Sequence, residues 1–146
     1  MHGLASSCPP LEPNTCYAYL LLCTHFQDSC LIAEDDDGPV GYIAGYRPPQ
    51  QQDTLFVWQI GVHERGRGLG LGKQMLRALM EQPRNRDVKF LETTVAPDNP
   101  PSQGLFRSFA KDASAECVEQ SFFEPRHFGG EAHEAEHLFR IGPMSR

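Results

Sequence analysis

No apolar run in these 146 residues approaches the roughly 20 needed to span a membrane, so no transmembrane helix and no membrane partner are expected. Positive charge is also scarce: 13 Lys and Arg face 19 Asp and Glu, a net charge of −6 at pH 7. A surface built to neutralise nucleic-acid phosphates needs the opposite balance, so no nucleic-acid partner is expected. The five cysteines (Cys8, Cys16, Cys23, Cys30, Cys117) contain no C-x-x-C pair, which argues against a structural zinc site. Their number is odd and no signal peptide precedes them. They are read as reduced thiols of a cytoplasmic protein, not as a disulfide framework. Internal repeats and low-complexity tracts are absent as well.

What remains is ordinary globular composition, 40% hydrophobic and 22% charged, on a chain of single-domain length. One domain over residues 1–146 is the expectation. Residues 1–13, with Pro9, Pro10 and Pro13, read as irregular. Residues 14–26 (NTCYAYLLLCTHF) read as a buried helix capped by Asn14 or Thr15. Residues 29–46 read as a hairpin around an Asp-Asp-Gly turn, and 54–62 (TLFVWQIGV) as a central strand. A helix over 72–82 ends at Pro83. A strand over 88–95 and a helix over about 101–112 come next, and two closing strands, 115–123 and 135–142, flank a loop at 124–134. This order points to an α+β or mixed-sheet domain and not to a regular βαβ repeat.

The most informative stretch is RGRGLGLGKQML, residues 65–76, where glycines crowd the junction between a strand and a helix. A P-loop fails here twice, because Arg67 stands in place of the first glycine and Gln74 in place of the metal-binding hydroxyl. A dinucleotide fingerprint fails too: Lys73 follows Gly68-x-Gly70, and Leu71 follows Gly66-x-Gly68, where glycine is wanted. R-G-x-G-x-G from Arg67 to Gly72 does fit. Glycines let backbone N–H groups approach a pyrophosphate, the helix start adds its free N–H groups and positive dipole end, and Arg67 adds charge. A flexible turn with a helix cap is the plainer alternative.

At these residues the chain resembles the GCN5-related N-acetyltransferases, whose shared motif is a strand ending like IGV, then R-G-x-G-x-G and a helix. The resemblance implies an α+β fold with a mixed, mostly antiparallel central sheet flanked by helices. It also implies that acetyl-CoA is the co-substrate and that no metal is used. Ile60 and Val62 would bind the pantetheine arm, and Arg67, Gly68, Gly70, Gly72 and Lys73 the pyrophosphate. Asn99, in LETTVAPDNPPSQGLF, would touch the CoA arm. Many members carry a tyrosine in the following helix as acid for the leaving thiolate; the matching residue here is Phe106.

Three segments outside that motif, CPPLEPNTCYAYLLLCTHF, YRPPQQQDTLFVWQIGV and HEAEHLFRIGP, resemble the branch of the family that acetylates the 4-amino group of L-2,4-diaminobutyrate on the route to the osmolyte ectoine. This closer resemblance implies a small diamino acid as partner and a homodimer. It also implies a first sheet strand ahead of Cys8, which is expected to be missing here. Glu12 stands where aspartate is more usual. Substrate contacts are expected at Glu12, Tyr17, Trp58, His133 and Glu136. Catalytic parts are expected at His133, Glu136 and the Val62 backbone. For each side chain a structural role is the alternative: Trp58 on a central strand and Tyr17 on a helix are commonly core.

The implied chemistry is direct attack of an amine on a thioester. An alkylammonium has a pKa near 10.4, so only about one part in a thousand is neutral at pH 7, a cost of about 4 kcal/mol. The site must remove that proton and stabilise the oxyanion. HEAEH, residues 133–137, also matches the zinc-protease signature. That signature needs a helix, and here the segment runs into a strand, so a zinc site is not expected. EDDD, residues 34–37, reads as turn acids in solvent.

Overall fold

A computed structural model describes residues 1–9, 13–129 and 132–145; Glu12 lies outside the described residues. The chain forms two compact units, Met1–Val88 and Lys89–Arg146. Among the described residues no helix is long and apolar enough to cross a membrane.

The first unit opens with a short helix, α1 (His2–Ser6), where the sequence reads as irregular. Leu4 and Ala5 are buried there, and two apolar residues in one turn are enough to dock it. Helix α2 (Cys16–His25) is capped by Thr15, whose hydroxyl accepts the Ala18 N–H at 3.2 Å. The buried helix expected here is only partly buried. Tyr19 is enclosed, but Tyr17 is 68% exposed and Leu20 58%. The apolar residues run all round α2, and one side of a helix can face a sheet, so the remainder meets solvent.

Strands β1 (Leu31–Asp35), β2 (Gly38–Tyr46) and β3 (Thr54–Val62) form an antiparallel meander. The β1–β2 turn is the expected Asp-Asp-Gly: the Asp35 carboxylate accepts the Asp37 N–H at 2.9 Å, and Gly38 takes φ +108°. Val40 to Gly45 are buried on both faces, so β2 lies at the centre of this unit. Helix α3 (Leu71–Glu81) buries Met75, Leu76, Leu79 and Met80, a single stripe at helical spacing. It stops before Pro83, as expected. Asn85 is fully buried just beyond and donates to the carbonyls of Leu79 (2.8 Å) and Asp28 (2.9 Å), which ties the end of α3 to the α2–β1 turn.

The second unit contains β4 (Phe90–Val95), α4 (Pro100–Asp112), β5 (Cys117–Phe123) and β6 (Glu136–Ile141). β6 pairs antiparallel with both β4 and β5. Asn99 caps α4 through its side-chain oxygen, 3.3 Å from the Ser102 N–H, and Pro100 and Pro101 occupy the first turn, where a missing N–H does no harm. Phe106, Phe109 and Ala110 of α4 are buried, as are Leu138, Phe139 and Ile141 of β6. The loop at 124–134 carries a short 3-10 turn, Pro125–Phe128.

One glycine in the meander has no room for a side chain. A Cβ on Gly45 would lie 2.5 Å from the Phe56 carbonyl oxygen and 3.1 Å from that of Ser29, both backbone atoms. Gly45→Ala is therefore expected to destabilise the protein by about 1–3 kcal/mol. Urea unfolding of the two proteins side by side measures the difference.

Candidate active site

The β2–β3 register fixes what the end of β3 presents. His63 N–H donates to the Val40 carbonyl at 2.8 Å, and Gly41 and Tyr42 oppose Val62 and Gly61. Antiparallel ladders alternate, so the N–H and C=O groups of Ile60 and Val62 turn away from β2. These are the two residues that the resemblance assigns to the pantetheine arm. Beyond Val62 a 3-10 turn (Glu64–Gly66) is closed by His63 Nδ1, which accepts the Arg65 N–H at 3.3 Å. Arg65 also pairs with Asp35 at 3.1 Å, so one of the turn acids anchors this loop.

The chain then enters α3 through two left-handed glycines, Gly68 (φ +75°) and Gly70 (φ +72°). A Cβ on Gly68 would meet nothing within 4 Å, so the backbone there faces open space. Gly70 is the N-cap of α3, and no side chain caps that helix, unlike α2 and α4. Arg67 is exposed, and the carbonyls of Val62 and Pro9 hold its guanidinium at 3.3 Å each; neither carries a formal charge to cancel it. Gly72 and Lys73 lie in the first turn of α3. An open backbone, a helix start without a side-chain cap and a fixed cation fit a diphosphate group.

Trp58 lies four residues before Val62 and is half-buried. In the ladder Ala44 opposes Gln59 while Gly45 opposes Val57, so Trp58 is the extra residue of a β-bulge. Its ring packs on Tyr19, with centroids 6.2 Å apart, at the margin of a buried cluster of Leu4, Ala5, Tyr19, Tyr42 and Ala44. Tyr17, expected as a substrate contact, is exposed, so its side chain is open to a ligand and not part of the core. Two positions along a helix turn a side chain by about 200°, and Tyr19 takes the inward place.

Behind Trp58 lies a polar network that the sequence reading does not include. Gln59 Oε1 accepts the hydroxyls of Tyr19 (2.8 Å) and Tyr42 (3.1 Å), and the Tyr19 hydroxyl accepts the Asn14 N–H at 3.2 Å. Burial, and then the neighbouring Tyr19, push the Tyr42 phenol well above its ordinary pKa, so it remains a donor. The available signal was Gln59 itself, a polar residue inside the apolar run LFVWQIGV.

In the second unit Asn99 is half-buried, and its side-chain oxygen accepts in the α4 cap, which leaves its amide N–H groups as donors to a ligand. Phe106 is buried and has no proton to give. His133 stacks on Phe128 with centroids 3.8 Å apart and an interplanar angle of 11°. Its Nδ1 lies 2.7 Å from the Glu134 carbonyl, which can only accept, so Nδ1 carries a hydrogen. Glu136 starts β6, half-buried opposite Phe123.

HEAEH is extended: residues 133–135 precede β6 and His137 lies within it. The helix face needed by the zinc signature does not form. His137 Nδ1 binds Glu119 Oε1 at 2.8 Å, and Arg107 binds the other oxygen at 2.5 Å. The His137 contact first, and Arg107 after it, hold the Glu119 carboxyl below the usual range.

Residues 1–110 match the model of the Acetyltransferase (GNAT) family. The L-2,4-diaminobutyric acid acetyltransferase of Bordetella parapertussis is 46% identical over 99% of this chain and 78% of its own length. That of Halomonas elongata is 44% identical over 99% and 75%. Among solved structures, the diaminobutyrate acetyltransferase EctA of Paenibacillus lautus, in complex with its substrate L-2,4-diaminobutyric acid and coenzyme A, superposes with a TM-score of 0.92. It is 39% identical, and the match covers 99% of this chain and 87% of that one. Ard1 of Thermoplasma volcanium, 18% identical with a TM-score of 0.77 over 97% and 88%, shares the fold.

The depressed Glu119 carboxyl stabilises the folded chain above its unfolded pKa, and that stability is lost as pH falls through the lower folded value. Glu119→Gln is expected to cost under about 1 kcal/mol near pH 7, the scale of a partly exposed pair. The difference from the unaltered protein should shrink as pH falls below the unfolded value of about 4.3 and vanish once pH has passed below the lower folded value. Urea midpoints of both proteins across that range test this.

Proposed function

The chain belongs to the acetyltransferase (GNAT) family, and from that premise we propose that it transfers the acetyl group of acetyl-CoA to the 4-amino group of L-2,4-diaminobutyrate. The observation that carries this is the reach of the similarity. Identity of 44–46% with diaminobutyrate acetyltransferases runs over 99% of the chain, far beyond the glycine motif common to the whole family. The fold agrees along the same length with a solved diaminobutyrate acetyltransferase. The product is N4-acetyl-L-2,4-diaminobutyrate, the ectoine precursor that the resemblance implies. On this reading residues 1–146 work as one acetyltransferase domain, in the cytoplasm and as a homodimer.

Acetyl-CoA supplies an activated acetyl thioester; the chain binds it, orients it and moves charge. Gly68, Gly70, Gly72 and Lys73, with Arg67, take the pyrophosphate at the start of α3, and the outward backbone of Ile60 and Val62 takes the pantetheine arm. Asn99 adds its amide N–H groups. As the γ-nitrogen bonds to the carbonyl carbon, negative charge gathers on the oxygen, and the Val62 N–H is the donor placed for it. The C–S bond breaks and CoA leaves as thiolate, with no acid at Phe106. The amine proton passes to His133 Nε2 or Glu136, directly or through water. Glu12, Tyr17, Trp58 and Glu136 distinguish the γ-amine from the α-amine and carboxylate. Trp58 adds an aromatic face to an ammonium, worth about 0.5–2 kcal/mol.

The deciding experiment follows free thiol in purified protein with acetyl-CoA and diaminobutyrate, and locates the acetyl group by NMR. Thiol release with acetyl on the γ-nitrogen is expected. Faster turnover of ornithine, lysine or a polyamine would move the substrate elsewhere in the family. CoA binding without release would mark an inactive acyl-CoA-binding module.

Two variants separate the halves of the site. Gly70→Val forces a β-branched residue into a left-handed conformation and should raise KM for acetyl-CoA about tenfold or more, with KM for diaminobutyrate little changed. Trp58→Ala and Glu136→Ala should do the reverse. Steady-state kinetics with each substrate varied in turn measures both.

A further inference from the structure

We propose that Tyr19 is a positioning residue for acetyl transfer: its hydroxyl network fixes its ring as the platform that orients Trp58 toward the amine substrate. This rests on the reading above that Trp58 contacts that substrate.

The argument begins with the bulge. Trp58 is the unopposed residue between the Ala44–Gln59 and Gly45–Val57 pairs, so the backbone ladder does not fix its direction. Packing must do so, and the ring contact available to it is Tyr19, at 6.2 Å with the planes inclined by 36°. Tyr19 is held on several sides. Its hydroxyl donates to Gln59 Oε1 at 2.8 Å and accepts the Asn14 N–H at 3.2 Å, which uses both of its hydrogen-bonding roles. Its ring meets Tyr42 edge-on, with centroids 6.4 Å apart. Gln59 is the residue directly after Trp58. The same side chain therefore binds the strand at position 59 and supports the ring at position 58. Tyr19 is 3% exposed on a helix whose neighbouring residues Tyr17 and Leu20 face solvent, so it is the buried point at which α2 meets the meander.

Tyr42 supplies a matched control. Its hydroxyl donates to the same Gln59 oxygen at 3.1 Å, in equally buried surroundings. Removing either hydroxyl deletes one bond to Gln59, but only the Tyr19 hydroxyl also ties down the ring beneath Trp58. The Tyr19 hydroxyl also holds the Asn14 N–H, so stability does not separate the two roles, whereas the orientation of Trp58 does.

The chain contains a single tryptophan, so its fluorescence reports Trp58 alone. Tyr19→Phe and Tyr42→Phe are compared with the unaltered protein by acrylamide quenching without ligands, by urea unfolding, and by kcat and KM for both substrates. Both variants keep the ring and should fold, each with a modest loss of stability, the larger for Tyr19→Phe, which also removes the acceptor of the Asn14 N–H. Tyr19→Phe is expected to raise the quenching constant and to raise KM for diaminobutyrate about fivefold, with KM for acetyl-CoA unchanged. Tyr42→Phe should leave quenching and both KM values as they are. Equal effects of the two variants on quenching and KM, or none from Tyr19→Phe, would overturn the proposal. Trp58→Ala with an intact KM for diaminobutyrate would instead overturn the assignment of Trp58 to the substrate. Ligand-free quenching decides the platform itself independently of that result.

Discussion

The antiparallel register between β2 and β3 is the constraint on which the candidate site depends. With Gly41 opposite Val62 and Tyr42 opposite Gly61, alternate residues at the end of β3 turn their N–H groups away from the neighbouring strand. A slip of one residue would turn those of Gly61 outward instead and move every side chain of β3 to the other face. Close packing enforces the register. A Cβ on Gly41 would lie 2.9 Å from Met75 Sδ, and one on Gly66 2.8 Å from a Leu71 methyl, so sheet, loop and α3 interlock where the chain leaves the strand.

The same strand carries two kinds of order. Toward its end the backbone of Ile60 and Val62 turns away from β2, and the sequence following it is short and glycine-rich, which leaves N–H groups approachable. In its middle, side chains add to the ladder: a bulge frees Trp58 from it, and the buried Tyr19–Gln59–Tyr42 network ties the strand to α2 and β2 with hydroxyl bonds. Burying three polar groups is costly unless each finds a partner. Here one amide oxygen accepts both phenols, and among the described residues no buried side-chain nitrogen or oxygen lacks a hydrogen-bond partner. Such a network tolerates little displacement, which suits a place where ring orientation matters.

Much of the local structure was legible. Strand β3 was read at its observed limits, and the Asp-Asp-Gly turn, a cap at Asn14 or Thr15, of which the structure uses Thr15, and the Pro83 stop each follow from local chemistry that neighbours in sequence supply. Helix α2 was misjudged because apolar content does not say which side meets a sheet. At the candidate site, the strand–glycine–helix junction was readable because glycine states a backbone requirement directly. The surroundings of the candidate side chains were not. That Tyr19 is the residue of α2 beneath Trp58 depends on the rotation of α2 against the meander, and Glu119 binds His137 and Arg107, 18 and 12 positions away in the chain.

The sequence by itself determined the family, the α+β element order and the strand–glycine–helix junction that suits a diphosphate, because these rest on local propensities and on residues whose chemistry is fixed by type. Only the tertiary structure decided that β3 presents Ile60 and Val62 on one edge, that Trp58 sits in a bulge on Tyr19, and that HEAEH is extended. Those outcomes depend on register and on which surfaces meet, and both are settled by packing between distant segments, which no local pattern encodes.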